Sequence, residues 1–239
     1  MPEKIRKFIY KIKISMDEWI KKNIAINYQN VSYKLLQKLY FRGKGDNYHM
    51  SDYIFLFDLD STISKQEILP TISKRIGKQK EMRDLTEATM KGEIPFKRSF
   101  LNRIELLSSV KVSEVNKIVS EIPLNIEIAR FIKDNKERCY VLTGNLDVWI
   151  GGLMEKLGLK NHVYCSKASV KDDKITKVIS VVDKELMVKQ FVQPIVVIGD
   201  GDNDSGMARH ADIAIGFGGV RNIAPSLLTT IDYAFYDDK

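Results

Sequence analysis

Tyr53-Ile54-Phe55-Leu56-Phe57-Asp58-Leu59-Asp60-Ser61-Thr62 is an apolar run that ends in two carboxylates. A continuous apolar run of this length is the pattern of a strand covered on both faces. A second stretch repeats the arrangement, with Ile195-Val196-Val197-Ile198-Gly199 leading into Asp200-Gly201-Asp202-Asn203-Asp204. Like charges are costly to gather unless a cation neutralises them. In an open parallel α/β sheet, ligands bind at the carboxyl ends of the strands. An acidic strand end is common in surface loops, so the inference of metal-assisted chemistry rests on the pair of clusters.

Outward from the first run, the period changes. Residues 64–136 carry helical spacing: Ile68, Leu69, Ile72 and Ile76 form one stripe. Leu85, Met90, Phe96, Phe100, Ile104 and Leu107 suggest further helices, broken around Gly92-Glu93-Ile94-Pro95. Val112, Val115, Ile118 and Val119 mark another helix, and no strand signal interrupts the span. The α/β alternation returns with a strand over Arg138–Thr143 and a helix over Leu146–Leu157. A short strand is expected near His162–Cys165, then a hairpin near Ser169–Val178 turning at Asp172-Asp173. A helix over Val182–Val192, the strand Ile195–Ile198, a helix at Ser205–Arg209 and strands at Ile213–Ile215 and Asp232–Phe235 complete the pattern. The expected fold is α/β: a Rossmann-like three-layer core with a parallel sheet and an all-helical cap inserted after the first strand. An N-terminal helical extension precedes it. The boundaries are 1–49 for the extension, 50–63 and 131–239 for the core, and 64–130 for the cap.

Composition bounds the class. A chain of 239 residues with 44% hydrophobic and 29% charged content is ordinary for a globular protein and builds one good-sized domain with an insert. Two cysteines, Cys139 and Cys165, imply no disulfide framework, which suits the cytoplasm. No apolar stretch approaches the length of a membrane span. Residues 1–49 carry 11 Lys and Arg against 4 Asp and Glu, the whole of the formal +7, whereas residues 50–239 carry 27 of each. A basic nucleic-acid surface on the catalytic part is therefore not expected. In the extension, Ile5, Phe8, Ile9, Ile12, Met16, Trp19, Ile20 and Ile24 recur at helical steps with lysines alongside. Packing on the core or on a second subunit, as in a homodimer, is one reading. A peripheral contact with an anionic membrane surface through Trp19, Lys21 and Lys22 is another.

The residues themselves suggest phosphorus chemistry. Asp58 and Asp60 are two apart and can diverge where the strand ends, one as nucleophile and one as proton donor. A carboxylate can attack phosphorus to give an aspartyl-phosphate. Mg²⁺ would offset repulsion between the nucleophile and phosphate oxygens, with Asp200 as a further ligand. Thr143, before Gly144, offers a hydroxyl and backbone donors, and Lys184 a point charge.

These segments, in order, resemble the haloacid dehalogenase-like (HAD) superfamily of phosphatases over residues 52–235. Asp58-Leu59-Asp60-Ser61-Thr62 resembles its first motif, Thr143 the second, Lys184 the third and Asp200-Gly201-Asp202-Asn203-Asp204 the fourth. Within it the chain most resembles the phosphoserine phosphatases, on Glu67 and on the stretch from Thr86 through Met90-Lys91-Gly92-Glu93-Ile94-Pro95-Phe96 to Arg103. The resemblance implies that Asp58 is the nucleophile and Asp60 the acid and base. Asp58, the Asp60 backbone and Asp200 would hold Mg²⁺, with Asp204 supporting them. Thr143, Gly144, Lys184 and Asn203 would hold the phosphate. Glu67 and Arg103 would hold the ammonium and carboxylate of O-phospho-L-serine, and Met90 and Phe96 would line the pocket. From the residues alone, without the flanking motifs, Glu67 and Arg103 read first as a helix salt bridge and Met90 and Phe96 as core. Three features depart from the pattern: Thr143-Gly144-Asn145 in place of Ser-Gly-Gly, a short segment between Lys184 and Asp200, and the basic extension. Phosphocholine, phosphoethanolamine or a sugar phosphate are the competing small phosphorylated metabolites. A tethered binding protein on the same fold is the competing class.

Overall fold

The computed structural model describes residues 53–90 and 93–236. The expected helical extension of residues 1–49 lies outside the described residues, as do the side chains of Met90 and Phe96. Among the described residues no helix is long and apolar enough to cross a membrane.

The strand β1 (Ile54–Phe57) lies in the middle of a seven-stranded sheet. Its neighbours are β2 (Cys139–Leu146) on one side and β5 (Ile195–Gly199) on the other, both parallel to it. Beyond β2 come β3 (Val163–Lys171) and β4 (Lys174–Ser180); beyond β5 come β6 (Ile213–Phe217) and β7 (Tyr233–Phe235). Among the described strands of the sheet, only the β3–β4 hairpin is antiparallel, and its turn is Asp172-Asp173, both at positive φ. Asp tolerates that left-handed conformation better than most residues, and two such residues in succession match the twist of a hairpin.

Alternation along β1 sorts the side chains into two cores. Phe55 and Phe57 point into the larger one, where Phe55 meets Phe131 edge-on at 4.8 Å between centroids. Leu56 points to the other face, against Leu142, Val188, Val197 and Met207. Each face is covered by helices, which gives the three layers and explains the unbroken apolar runs.

Between β1 and β2 the chain forms α1 (Ile68–Arg75), α2 (Gln79–Met90), α3 (Phe96–Leu107), α4 (Val112–Ser120) and α5 (Ile126–Asp134). The outgoing and returning chains meet in an antiparallel bridge, Ser64 to Leu124. Lys65 N donates to Pro123 O at 2.7 Å and Asn125 Nδ2 to Thr62 O at 2.6 Å. The return helix α4 packs on the core helix α6 (Asp147–Leu157). Asn116 clips the two together, donating to Val148 O and accepting from Gly152 N, each at 3.2 Å. A Cβ on Gly152 would lie 2.5 Å from Ser120 Oγ, so glycine there permits the close approach. The hairpin tip completes the contact: Asp173 O accepts from Val112 N at 2.7 Å and Asp173 Oδ1 from Ser113 N at 3.0 Å.

Three elements differ from the sequence expectation. The strand expected to end at Thr143 continues to Leu146, because a register shift after Thr143 lets Leu146 pair with Ser166. The short strand at His162–Cys165 and the first arm of the hairpin are one strand, β3. The helix expected over Val182–Val192 is confined to α7 (Lys184–Val188), where Asp183 caps it by accepting from Leu186 N at 3.1 Å. The remaining short helices are α8 (Ser205–Arg209) and α9 (Pro225–Leu228).

Candidate active site

The parallel pairing of β1 with β2 and β5 brings their carboxyl ends side by side. Asp58 follows β1 directly, Asp200 follows β5, and Thr143 and Asn145 sit within the end of β2. All four are buried.

After Asp58 the chain makes a tight turn over Leu59–Ile63, with Ser61 at φ 56°. This turn separates the two acids. Asp58 faces the strand ends, whereas Asp60 Oδ1 accepts from Ile68 N at 2.6 Å, at the start of α1. Asp60 Oδ2 accepts from Asn145 Nδ2, and that amide also donates to Thr143 Oγ1 at 2.9 Å. Both oxygens of Asp60 are thus held. Burial raises its carboxyl above the usual range, and the two hydrogen bonds oppose that rise.

Lys184, at the start of α7, is buried between two acids. Its Nζ donates to Asp58 Oδ1 and, at 2.7 Å, to Asp204 Oδ1. Burial alone would lower the lysine's pKa, but Asp204 and Asp58 more than reverse this, so the ammonium is charged. Asp204 Oδ2 accepts from Asp200 N and Gly201 N, each at 2.9 Å. A Cβ on Gly199 would lie 2.5 Å from Asp204 Oδ2, so only glycine leaves room for that carboxylate to fold back.

Asp58, Asp200 and Asp204 each place a carboxylate oxygen within 4.8 Å of the others. Burial, and then the neighbouring Asp204, pushes the Asp58 carboxyl well above its ordinary range, with Lys184 opposing. Burial likewise raises Asp200 to about 6, although Arg221 beside it acts in the other direction. Three crowded, buried oxygen donors are the donor set of a hard divalent cation, and they fit Mg²⁺ in kind. The hydroxyl of Ser61, in the same turn, is buried without a hydrogen-bond partner among the described residues.

Two partners here were not singled out from the sequence. Asn145 was noted only as a departure from a motif; here it is the side chain that fixes Asp60. Arg221 carries no local sequence signal, although it follows β6 and so lies at another strand's carboxyl end. Its Nε donates to Asp200 Oδ2 and its Nη1 to Glu67 Oε1, the latter at 2.8 Å. Glu67 precedes α1 and is half-buried. Its ion pair is with Arg221. Arg103, on α3, is close enough for Glu67 and Asp60 to offset part of the drop that burial imposes on its pKa. Gly144 is half-buried and its carbonyl accepts from Ser166 Oγ at 2.7 Å. Asn203 is exposed in the turn between Asp202 and Asp204. Met90 ends α2 and Phe96 opens α3.

The profile of the haloacid dehalogenase-like hydrolases matches residues 54–212. The chain belongs to that family. It is similar to the phosphoserine phosphatase of Methanocaldococcus jannaschii, 30% identical over 179 residues that span 69% of this chain and 84% of the relative. The enzyme of that name from Idiomarina loihiensis is 27% identical over 199 residues, covering 77% and 88%. That of Archaeoglobus fulgidus is 30% identical, but the match covers only 52% of its length. Among solved structures, a HAD family hydrolase from Salmonella enterica serovar Typhi superposes with a TM-score of 0.67 at 19% identity, over 85% of this chain and 75% of that one. A phosphoserine phosphatase holding a phospho-aspartyl intermediate analogue superposes at 0.63 and 24% identity, over 78% and 93%. These structural likenesses show the same fold. With its relatives, the chain is a phosphoric monoester hydrolase of the phosphoserine phosphatase-like kind.

Proposed function

We propose that this enzyme hydrolyses a small phosphomonoester through an aspartyl-phosphate on Asp58, and that O-phospho-L-serine is the substrate the site suits best. The observation that carries the reading is the assembly of Asp58, Lys184, Asp200 and Asp204 from three separate segments into one buried cluster, with Asp60 held beside it by Ile68 N and Asn145. An Asp58 oxygen attacks phosphorus, and the bond to the ester oxygen breaks as that oxygen takes the proton held by Asp60. Water then attacks the acyl phosphate. Asp60 receives the proton of that water, phosphate leaves, and both carboxyl groups return to their starting states. Lys184, Thr143, Gly144 and Asn203 hold the phosphoryl oxygens, and Asp204 keeps Lys184 in place. Asn145 orients Asp60. Mg²⁺ bound by Asp58, the Asp60 backbone and Asp200 would supply charge neutralisation at the phosphoryl group.

The substrate reading places the ammonium at Glu67 and the carboxylate at Arg103, with Met90 and Phe96 as pocket walls. Residues 64–130 act as a cap over the site. Because α4 is clipped to α6 through Asn116, the moving part is α2 and α3. Closure excludes water from the acyl phosphate until the leaving group has gone. Acid quenching during turnover, followed by peptide mapping, tests the chemistry: phosphate is expected on the peptide carrying Asp58. An unlabelled chain, or label elsewhere, rejects it. Arg103→Ala tests the substrate. It should raise KM about ten- to hundred-fold for phosphoserine and leave phosphocholine unaffected, since a charged hydrogen bond is lost only in the first case. An unchanged phosphoserine KM excludes the assignment.

A further inference from the structure

Arg221 joins two parts of the site that have separate duties in the proposed reaction. It contacts Asp200 among the buried carboxylates and Glu67 at the substrate end. Its guanidinium also lies over Gly201, where a Cβ would come within 3.1 Å of Nη2. The loop after β6 therefore inserts a fixed positive charge beside the carboxylate that the proposed function reserves for an ammonium. Arg103 adds a second guanidinium whose charge is felt at Glu67. An ammonium arriving there meets a carboxylate already paired with Arg221 and within the field of Arg103. A substrate without an ammonium loses nothing by leaving that arrangement intact.

We infer that Arg221 is a specificity-determining residue: it competes with the substrate's ammonium for Glu67, so that phosphorylated carboxylic acids lacking an ammonium are bound nearly as well as phosphoserine. The inference rests on the assignment of Glu67 to the ammonium. It differs from a purely supporting role for Arg221 at Asp200, because support of Asp200 affects every phosphomonoester alike. Competition at Glu67 affects only those that carry an ammonium.

The test compares L-phosphoserine with 3-phosphooxypropanoate, the same skeleton without the ammonium. Binding to the Asp58→Asn enzyme is measured by calorimetry in the presence of Mg²⁺, so that the readout does not depend on turnover. The variants are R221Q, which removes the charge, and R221K, which keeps a charge but cannot bridge two carboxylates with a planar fork. R221Q should raise the preference for phosphoserine about five-fold, the upper range for a partly exposed ion pair. R221K should fall between R221Q and the parent. The double variant E67Q/R221Q should lose the gain. Equal changes for both ligands, or a preference that falls, overturn the inference while leaving the substrate reading standing. Failure of both ligands to bind the parent enzyme overturns the two together.

Discussion

Replacing Lys184 by methionine keeps the length of the side chain and removes its charge. In the native site the ammonium lies between Asp58 and Asp204, with side-chain exposures of 4%, 6% and 0% for the three groups. Two hydrogen bonds to buried carboxylates are lost, and a third carboxylate, Asp200, lies within 4.8 Å of both. Removing one partner from a buried ion pair costs about 3–5 kcal/mol, because the remaining charge is left desolvated. Protonation of a carboxyl relieves part of that cost, so the lower end, about 3 kcal/mol, is expected. For a domain of this size, 1 kcal/mol corresponds to about 2–4 °C in Tm. K184M should therefore unfold about 6–12 °C below the parent when followed by circular dichroism in EDTA. Mg²⁺ should restore part of the difference, because it supplies positive charge at the same cluster. The folded-state pKa of Lys184 is raised, so its contribution is complete at neutral pH and is lost only as pH rises beyond the ordinary lysine range. The parent's loss of this term therefore does not confound a comparison at pH 7. A K184M protein that melts within 2–3 °C of the parent, a shift worth only about 1 kcal/mol, would refute the view that a charged lysine holds these acids together.

Other outcomes follow from the same geometry. Gly152→Ala should lower stability by about 1–2 kcal/mol in urea titrations, because overpacking against Ser120 and Asn116 outweighs the gain of about 1 kcal/mol in helix propensity; an unchanged midpoint would mean that α4 yields freely. Asn145→Ala should lower kcat about ten-fold or more with little change in KM, since Asp60 loses one of its two anchors; an unaltered kcat would show that Ile68 N alone positions the acid. Burial pushes the Cys139 thiol up to about 12 and raises that of Cys165 as well. Both should therefore resist iodoacetamide at pH 8 for as long as the fold persists, and mass spectra showing alkylation at the rate of the urea-unfolded chain would contradict their burial.

The central strands were legible because burial on both faces leaves β1 and β5 continuously apolar, and their terminal acids lie next to them in sequence. The hairpin turn was legible because Asp172 and Asp173 belong to the residues that tolerate a left-handed backbone. The extents of β2 and β3 were less so. A register shift at Gly144 and Asn145 is set by pairing with β3, which no local pattern announces. Asn145 and Arg221 were beyond local reading for a related reason. Asn145 acts on a residue 85 positions away and Arg221 on one 154 positions away, so their importance appears only when the sheet order is known. The rule that ligands gather at strand carboxyl ends nonetheless marks the loop containing Arg221, which follows β6 as Asp58 and Asp200 follow β1 and β5.

Above all, we propose hydrolysis of phosphoserine by an Asp58-centred site. Phosphate release with Mg²⁺ tests it most directly, across L-phosphoserine, phosphocholine, phosphoethanolamine and sugar phosphates, with Asp58→Asn as control. The highest kcat/KM is expected on L-phosphoserine, with its abolition in the variant. Release that persists in Asp58→Asn, or a higher kcat/KM on a substrate without a carboxylate, would contradict it.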